Sequence, residues 1–223
     1  TYSETLAVGA SGSAGAPIRI DVGANSPAPS GHAGTVIIDG GSTRSSGIVV
    51  SNRVYISVNG LDAQKNYRLL VQNHTGVGVG SVQVSNSSYT NIDYVKVNHG
   101  RSRGVFFDNA DHSRIRGCDV RTGFVNTAVQ TDGLYLQFGN DNIVENNVVV
   151  LSNADTSNHM DCLQVANGEN RLTIRNNWLE WTNGLGNDQS QTFIIEGSSD
   201  WVRFYNNVVL GSSNNPYQAA LFK

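Results

Sequence analysis

The sequence is poor in cysteine and in charge, and each scarcity excludes a class of protein. Two cysteines are too few for a small fold that is held together by disulfides. Charged residues make up 15%, well below the roughly 25% of an average domain, which excludes a long coiled coil. No apolar run approaches the roughly 18 residues that a membrane span needs. The formal charge of −3 gives no reason to expect a nucleic-acid partner.

Asparagine, glycine and short apolar runs are abundant instead, and they repeat. The chain holds 26 Asn and 24 Gly. Segments 116–120, 145–149, 175–179 and 205–209 (RGCDV, ENNVV, RNNWL and YNNVV) follow one another at intervals of 29, 30 and 30 residues. Two apolar ladders run beside them with the same spacing: Val105, Leu134, Leu163 and Phe193, and Ile115, Val144, Ile174 and Phe204. Each repeat therefore contains three short strand-like pieces separated by turns.

This repeat is typical of a parallel β-helix. A helical repeat needs long windows of 3.6-residue periodicity, and a propeller blade needs four strands in about 40 residues. Three strands in each repeat instead match one turn of a solenoid whose equivalent strands stack into parallel sheets. The sequence predicts a single all-β domain over residues 1–223, a right-handed parallel β-helix of about seven or eight coils with three short strands per coil.

Asparagines recur at one turn of the predicted coil. Asn147, Asn177 and Asn207 occupy one frame, and Cys118 takes the same frame one coil earlier. An inward stack of asparagine side chains satisfies buried turn groups by hydrogen bonding along the solenoid. We therefore expect an asparagine column at this corner and a buried thiol at Cys118.

The two ends of the predicted solenoid lack a cap. Residues 220–223 fall where the first strand of another coil is expected, and neither end shows an amphipathic helix. An open end exposes strand edges and apolar core. We expect either a longer polypeptide, which is the favoured alternative, or partner subunits that cover the ends in a homo-oligomer or filament.

The opening segments carry a resemblance to a known family. They read TYSETL at 1–6, SGSAGAPIRI at 11–20 and VIIDG at 36–40. They resemble the first coils of secreted right-handed parallel β-helix proteins, and are similar in particular to alginate-lyase and chondroitinase-B-like polysaccharide lyases of the pectate-lyase-like superfamily. The resemblance implies an extracellular or cell-surface protein that acts on polysaccharide. Such lyases are expected to use a Lys and an Arg in the cleft, sometimes with calcium. The lysines of this chain, Lys65, Lys96 and Lys223, lie off the ladder of first strands.

Ionisable side chains gather around this ladder more densely than in any other frame. Because adjacent coils lie about 4.8 Å apart, residues at equal offsets from the ladder form one patch. The predicted catalytic residues are Asp132, Asp161, His159, Arg101 and Arg103. The predicted substrate-binding residues are Tyr135, Gln164 and Glu196.

The stacked pair Asp132 and Asp161 is the sharpest feature of this patch. Two carboxylates about 5 Å apart either share a raised pKa or hold a cation between them. The first alternative supplies the acid and nucleophile of a retaining glycosidase. The second supplies a calcium site. Arg101 or Arg103 suits a uronate carboxylate, and His159 or Tyr135 suits proton transfer. Aspartates before a strand also cap their own backbone, so a structural role stays open.

Two functions are consistent with the sequence. The first is a lyase or hydrolase that acts on an acidic polysaccharide, with no cofactor other than calcium. The second is a non-catalytic fibre, tailspike shaft or surface solenoid that stacks end to end or binds glycan. The charged patch favours the first, and the uncapped ends favour the second.

Overall fold

The structure is a computed structural model that describes residues 1–22, 34–99, 101, 103–122, 132–152, 160–182, 191–211 and 221–222. These residues form short strands joined by turns. In chain order the strands are β1 (Leu6–Ala7), β2 (Ile18–Asp21), β3 (Val36–Asp39), β4 (Ile48–Ser51), β5 (Val54–Asn59), β6 (Leu69–Gln72), β7 (Gly80–Asp93), β8 (Lys96–His99), β9 (Arg103–Asp111), β10 (Arg114–Arg116), β11 (Asp119–Thr122), β12 (Leu134–Gln137), β13 (Ile143–Glu145), β14 (Val148–Leu151), β15 (Leu163–Ala166), β16 (Thr173–Arg175), β17 (Trp178–Trp181), β18 (Phe193–Ile195), β19 (Arg203–Tyr205), β20 (Val208–Leu210) and β21 (Leu221–Phe222).

Equivalent strands of successive coils pair in parallel, which confirms the predicted parallel β-helix. The first-strand ladder pairs Val105 with Leu134, Leu134 with Leu163, and Leu163 with Phe193. The second ladder pairs Ile115 with Val144 in the same way. The apolar columns of the sequence are therefore the true register of the sheets.

Two sheets wrap around the core. The third strands of the coils form a seven-stranded sheet in the order β20-β17-β14-β11-β8-β6-β3. The first and second strands form two stacks that merge into one 14-stranded sheet, because the 14-residue strand β7 belongs to both stacks. In the described part of the chain, six turns carry three separate strands each (β1–β3, β4–β6, β9–β11, β12–β14, β15–β17 and β18–β20), so the number of fully divided turns is slightly below the predicted seven or eight coils.

The core consists of the inward columns of these strands. Alternate residues such as Leu134 and Leu136 are fully buried, as are Leu163 and Val165 one coil on. They belong to one continuous apolar cluster along the solenoid axis. Burying a side chain of this size contributes about 1.5–3 kcal/mol, so stacking of coils is the main source of stability.

The turn between the second and third strands contains stacked asparagines. Asn146, Asn176 and Asn206 have positive φ and turn the chain sharply. In the next frame, Asn147 donates from its main-chain N and its Nδ2 to Asn177 Oδ1, at 3.0 and 2.9 Å. Asn177 repeats both bonds to the following asparagine, and the Cys118 N–H donates to Asn147 Oδ1 at 2.9 Å. Buried main-chain groups are thus satisfied from coil to coil.

Asn177→Ala is expected to lower the free energy of unfolding by roughly 1–3 kcal/mol, because it leaves buried polar groups without their partner. The Asn177 Oδ1 accepts two bonds, and its Nδ2 also donates to the Val144 carbonyl at 3.0 Å. Urea denaturation measures the change. Asn66→Ala in an exposed turn is the control and should stay close to wild type, and an unchanged midpoint for Asn177→Ala would contradict the role of the column.

The cysteines and two of the tryptophans also have defined positions along the solenoid. Cys118 and Cys162 are buried free thiols. Trp181 packs in the core, whereas Trp178 is exposed. Strand β21 pairs with β18, as expected for the first strand of a further coil. Within the described segments, no helix is long and apolar enough to cross a membrane.

Candidate functional site

A polar column runs along the start of the first strands. Asp132 Oδ1 accepts the main-chain N–H of Asp161 at 3.1 Å, and Asp161 Oδ1 accepts the N–H of Gln191 at 2.6 Å. Each aspartate therefore satisfies a main-chain donor of the next coil. The asparagine column uses the opposite direction, since there each side chain accepts from the preceding coil.

Arg103 ends this column on the side of the preceding coil. Its Nε lies 3.2 Å from Asp132 Oδ2, and its NH1 donates to the Gly78 carbonyl at 3.1 Å. The side chains of Arg103 and Asp132 are only 12% and 1% exposed. Because water screens little at this depth, the guanidinium supplies much of the positive charge that this carboxylate requires.

The predicted carboxylate pair thus lies beneath the surface. Asp161 is fully buried, and Oδ1 of both aspartates already accepts a main-chain N–H. Calcium binds about six to eight oxygen ligands. Across the described segments, no group of three or more His, Cys, Asp or Glu side chains is arranged to hold a metal. Among the described residues, the two aspartates alone do not supply the ligands that a calcium ion needs.

Tyr135 lies at the centre of the outward column of the same strands. The Arg103 guanidinium carbon stands 3.9 Å from the Tyr135 ring centre and 4.7 Å from that of Phe106. The two rings meet edge to face at 5.2 Å. The Tyr135 hydroxyl donates to Gln137 Oε1 at 3.2 Å. Tyr135 is 6% exposed, so the outward face of this sheet is covered at this point.

Charges converge on the Tyr135 hydroxyl. Burial raises the pKa of Tyr135, Arg103 opposes that rise, and the carboxylates of Asp132, Glu196 and Asp108 add to it. The phenol is therefore protonated at neutral pH and serves as a proton donor rather than as a base.

Two polar pairs border this centre. Gln164 Nε2 donates to Glu196 Oε1 at 2.6 Å, and Gln137 Nε2 donates to Asp108 Oδ1 at 2.9 Å. Glu196 and Asp108 are both half-buried. They are the carboxylates of this patch that reach the surface.

The structure therefore brings together six of the eight predicted site residues: Arg103, Asp132, Tyr135, Asp161, Gln164 and Glu196. Arg101 is exposed, and its main-chain N–H donates to the His74 carbonyl at 3.0 Å. His159 lies outside the described residues.

Asp108 and Gln137 are members of the patch that the prediction left out. They face each other in register on β9 and β12, three residues beyond the Val105 and Leu134 positions. Glu196 stands at the equivalent offset two coils later, so this frame contained the signal.

Two buried titratable groups lie away from this patch. Glu169 is fully buried, and its carboxylate accepts from the Gly139 N–H at 2.8 Å and from Asn142 Nδ2 at 2.7 Å. Burial raises the pKa of Glu169 to about 7, although these two hydrogen bonds oppose the rise. His74 is buried in the turn after β6, and burial lowers its pKa to about 4 while Asp39 opposes the change.

Comparison with known proteins finds a likeness among solved structures. No protein-family model matches the chain, and no curated protein matches its sequence. Among solved structures, the chain is similar to the crystal structure of alginate lyase from Paenibacillus sp. str. FPU-7, with a TM-score of 0.46 and 12% sequence identity over 96% of this chain and 88% of that chain. Function is therefore argued from the side chains.

Proposed function

We propose that this chain cleaves an acidic polysaccharide outside the cell, at the patch of which Tyr135 is the buried centre and Asp108 and Glu196 are the half-buried rim. The observation that supports the proposal is the convergence of the Arg103 guanidinium and the Asp132, Glu196 and Asp108 carboxylates on one phenol. Buried and partly buried ionisable groups that perturb one another are typical of catalytic sites.

Lysis of a uronate is the reaction that these groups suit. A base removes the proton on the carbon next to the uronate carboxylate, the freed electron pair forms a carbon–carbon double bond, and the bond to the glycosidic oxygen breaks. The Arg103 guanidinium neutralises the carboxylate, which makes that proton more acidic. The protonated phenol of Tyr135 supplies the proton that the leaving oxygen takes up. His159 is the proposed base, as the sequence predicts, and Glu196 with Gln164 is proposed to bind sugar hydroxyls.

A panel of acidic and neutral polysaccharides tests this function. New reducing ends report cleavage, and the ultraviolet absorbance of an unsaturated uronate reports elimination. We expect both signals on an acidic polymer, unchanged by added calcium, because the aspartate pair does not fit that ion. Reducing ends without absorbance would indicate hydrolysis, and silence over the whole panel would overturn the enzymatic proposal.

Asp161→Asn separates a catalytic from a structural role of that residue. The amide keeps an oxygen that accepts the Gln191 N–H, so the melting temperature should stay near wild type. If Asp161 serves the reaction, turnover should disappear in a chain that still folds. A variant with full turnover, or one that no longer folds, would return Asp161 to the main-chain capping role.

A non-catalytic solenoid is the second candidate. The burial of Asp132 and Asp161 and their bonds to main-chain N–H groups favour it, because stacked aspartates of this kind stabilise coils without any chemistry. Silence on the polysaccharide panel together with discrete oligomers or filaments in native mass measurements would support this second function.

A further inference from the structure

The outer face of the second strands is rich in arginine. The face is formed by the outward side chains of β2, β5, the second half of β7, β10, β13, β16 and β19. One outward residue of each strand forms the central column of the face. The face also includes the turn residue that lies two positions before each of these central residues. Six of the twelve arginines of the chain lie there: Arg19, Arg114, Arg116, Arg171, Arg175 and Arg203. Four carboxylates share this face: Asp21, Asp93, Asp141 and Glu145. The face is therefore positive although the whole chain carries −3.

The central outward column of this face is long and regular. It pairs Arg19 with Ser57, Ser57 with Asn91, and then continues through one residue of each following strand to Arg203. Six steps of about 4.8 Å place the two terminal arginines about 29 Å apart. Their side chains are exposed and, within the described part of the chain, make no ion pair. Both are free to meet an outside anion.

Two of the inner arginines, Arg114 and Arg116, are not fully neutralised by their neighbours, whereas Arg175 has its own partner in Glu145 at 2.6 Å. Asp93 accepts from Arg114 at 2.8 Å and from Arg116 at 3.0 Å, so a single carboxylate serves two guanidinium groups. The Arg171 pair with Asp141 is largely exposed to solvent, where such pairs exchange readily with other anions.

Two open grooves follow the column. One, of about 410 Å³, is lined by Arg171, Thr173, Trp201 and Arg203 among others. The other, of about 310 Å³, includes Arg19, Ser57 and Asn91 in its lining. Both offer hydroxyl or amide groups beside guanidinium groups along one line, which suits an extended ligand rather than a compact one.

Trp201 is the least expected residue of the first groove. It is 79% exposed, and its left-handed φ of 58° is similar to that of the equivalent turn residues of the two preceding coils, Asp141 and Arg171. Exposed tryptophan rings are enriched at binding interfaces, because they offer a large apolar surface together with a polar N–H. An indole ring beside Arg203 provides an apolar platform for the face of a sugar ring.

We propose that this arginine-rich face binds a linear acidic polysaccharide lengthwise, at a surface separate from the Tyr135 site. Guanidinium groups pair with carboxylates in a bidentate fork, and the threonine, serine and asparagine side chains between them bond to sugar hydroxyls. A nucleic acid also carries repeated negative charge, and three rings of this face, Tyr55, Tyr89 and His112, form a stack. The ring centroids are only 4.6 and 5.0 Å apart, which is too close for a base to enter between them, so these rings do not form the open row on which the bases of a single strand stack. The repeat of the coils sets the spacing at which the polymer is held.

Calorimetric titration of the full chain with polygalacturonate tests this inference, with dextran as the uncharged control polymer. The double variant Arg19→Ala/Arg203→Ala and the single variant Trp201→Ala should each bind at least about tenfold more weakly, and the double variant should show a shallower dependence on salt. Arg121→Ala, an exposed arginine on the third-strand sheet, is the matched control and should bind like wild type.

Each other outcome counts against the inference. Unchanged affinity in the Arg19 and Arg203 double variant would overturn the surface, and equally tight binding of dextran or of a polynucleotide would overturn the ligand class. Turnover measured on the same variants keeps this test apart from the Tyr135 proposal: a chain without turnover whose binding depends on Arg203 leaves the present inference standing.

Discussion

Arg103→Ala is expected to lower the free energy of unfolding by about 3–5 kcal/mol, the range for breaking a buried ion pair from one side. The variant removes a guanidinium 3.2 Å from the Asp132 carboxylate, which is 1% exposed. It also removes the planar group that packs on the Tyr135 and Phe106 rings. Urea denaturation monitored by circular dichroism measures the loss, and the same variant should lack turnover if Tyr135 marks the catalytic site.

A double-mutant comparison separates charge from packing. Asp132→Asn keeps an oxygen that accepts the Asp161 N–H. When it is combined with Arg103→Ala, it removes the buried negative charge that has lost the Arg103 guanidinium. The double variant should therefore recover at least about half of the lost stability. Arg171→Ala, which breaks an exposed bidentate pair, is the control and should cost less than about 1 kcal/mol. A double variant no more stable than Arg103→Ala would show that packing, not charge, holds this column.

Glu169→Gln is expected to change how stability depends on pH. The pKa of Glu169 is about 7 in the folded chain against 4.5 for the free group, so the folded state holds the proton more tightly. Its contribution is fully present below pH 4.5 and is lost as the pH rises through 7. The difference corresponds to roughly 3 kcal/mol. Because glutamine does not titrate, the change in unfolding free energy between these two pH values should differ from wild type by that amount.

His74 contributes a slope of the opposite sign. Its pKa is about 4 in the folded chain against 6.5 for free histidine, so its contribution is present above pH 6.5 and is lost as the pH falls through 4. Between pH 4.5 and pH 6.5 the contributions of Glu169 and His74 to the free energy of unfolding change in opposite directions and nearly cancel in the wild type. In Glu169→Gln only the contribution of His74 is left, so the free energy of unfolding should rise with pH over this interval. Unfolding curves at several pH values measure this, with the exposed Glu4→Gln as the control. A Glu169→Gln profile parallel to wild type would contradict the assignment.

The solenoid could be predicted because the inward positions of its coils follow a pattern that is visible in a single sequence. Each inward residue touches its equivalents in the coils before and after, so Val105, Leu134, Leu163 and Phe193 must all be apolar and evenly spaced. The same rule predicted that Arg103, Asp132 and Asp161 share a column. Equal offsets from a ladder are enough to place residues side by side.

Burial of the outward residues did not follow from that rule. Tyr135 and Gln164 alternate with the inward residues of their strands and therefore lie on the outward face, yet both are buried, because burial depends on what packs over a sheet and not on its register. Glu169 was missed for a related reason: its surroundings of Asn and Gly are typical of an exposed turn, whereas here they enclose a carboxylate. The arginine-rich face was not predicted because five of its six arginines flank the second ladder at three different offsets, and so they form no single column in the sequence.

The number of residues per coil varies along the first half of the chain, which bears on how chains of this kind can vary in length. The register advances by 34 residues from Ile48 to Val82, by 23 from Val82 to Val105, and by 29 from Val105 to Leu134, yet each step is one rung. Turns thus absorb insertions and deletions of many sizes, while a single added residue within a strand would exchange its inward and outward side chains. Natural variation should accumulate at the corners and leave the rungs unchanged, so that the number of rungs, not the number of residues, sets the reach of the molecule along a polymer.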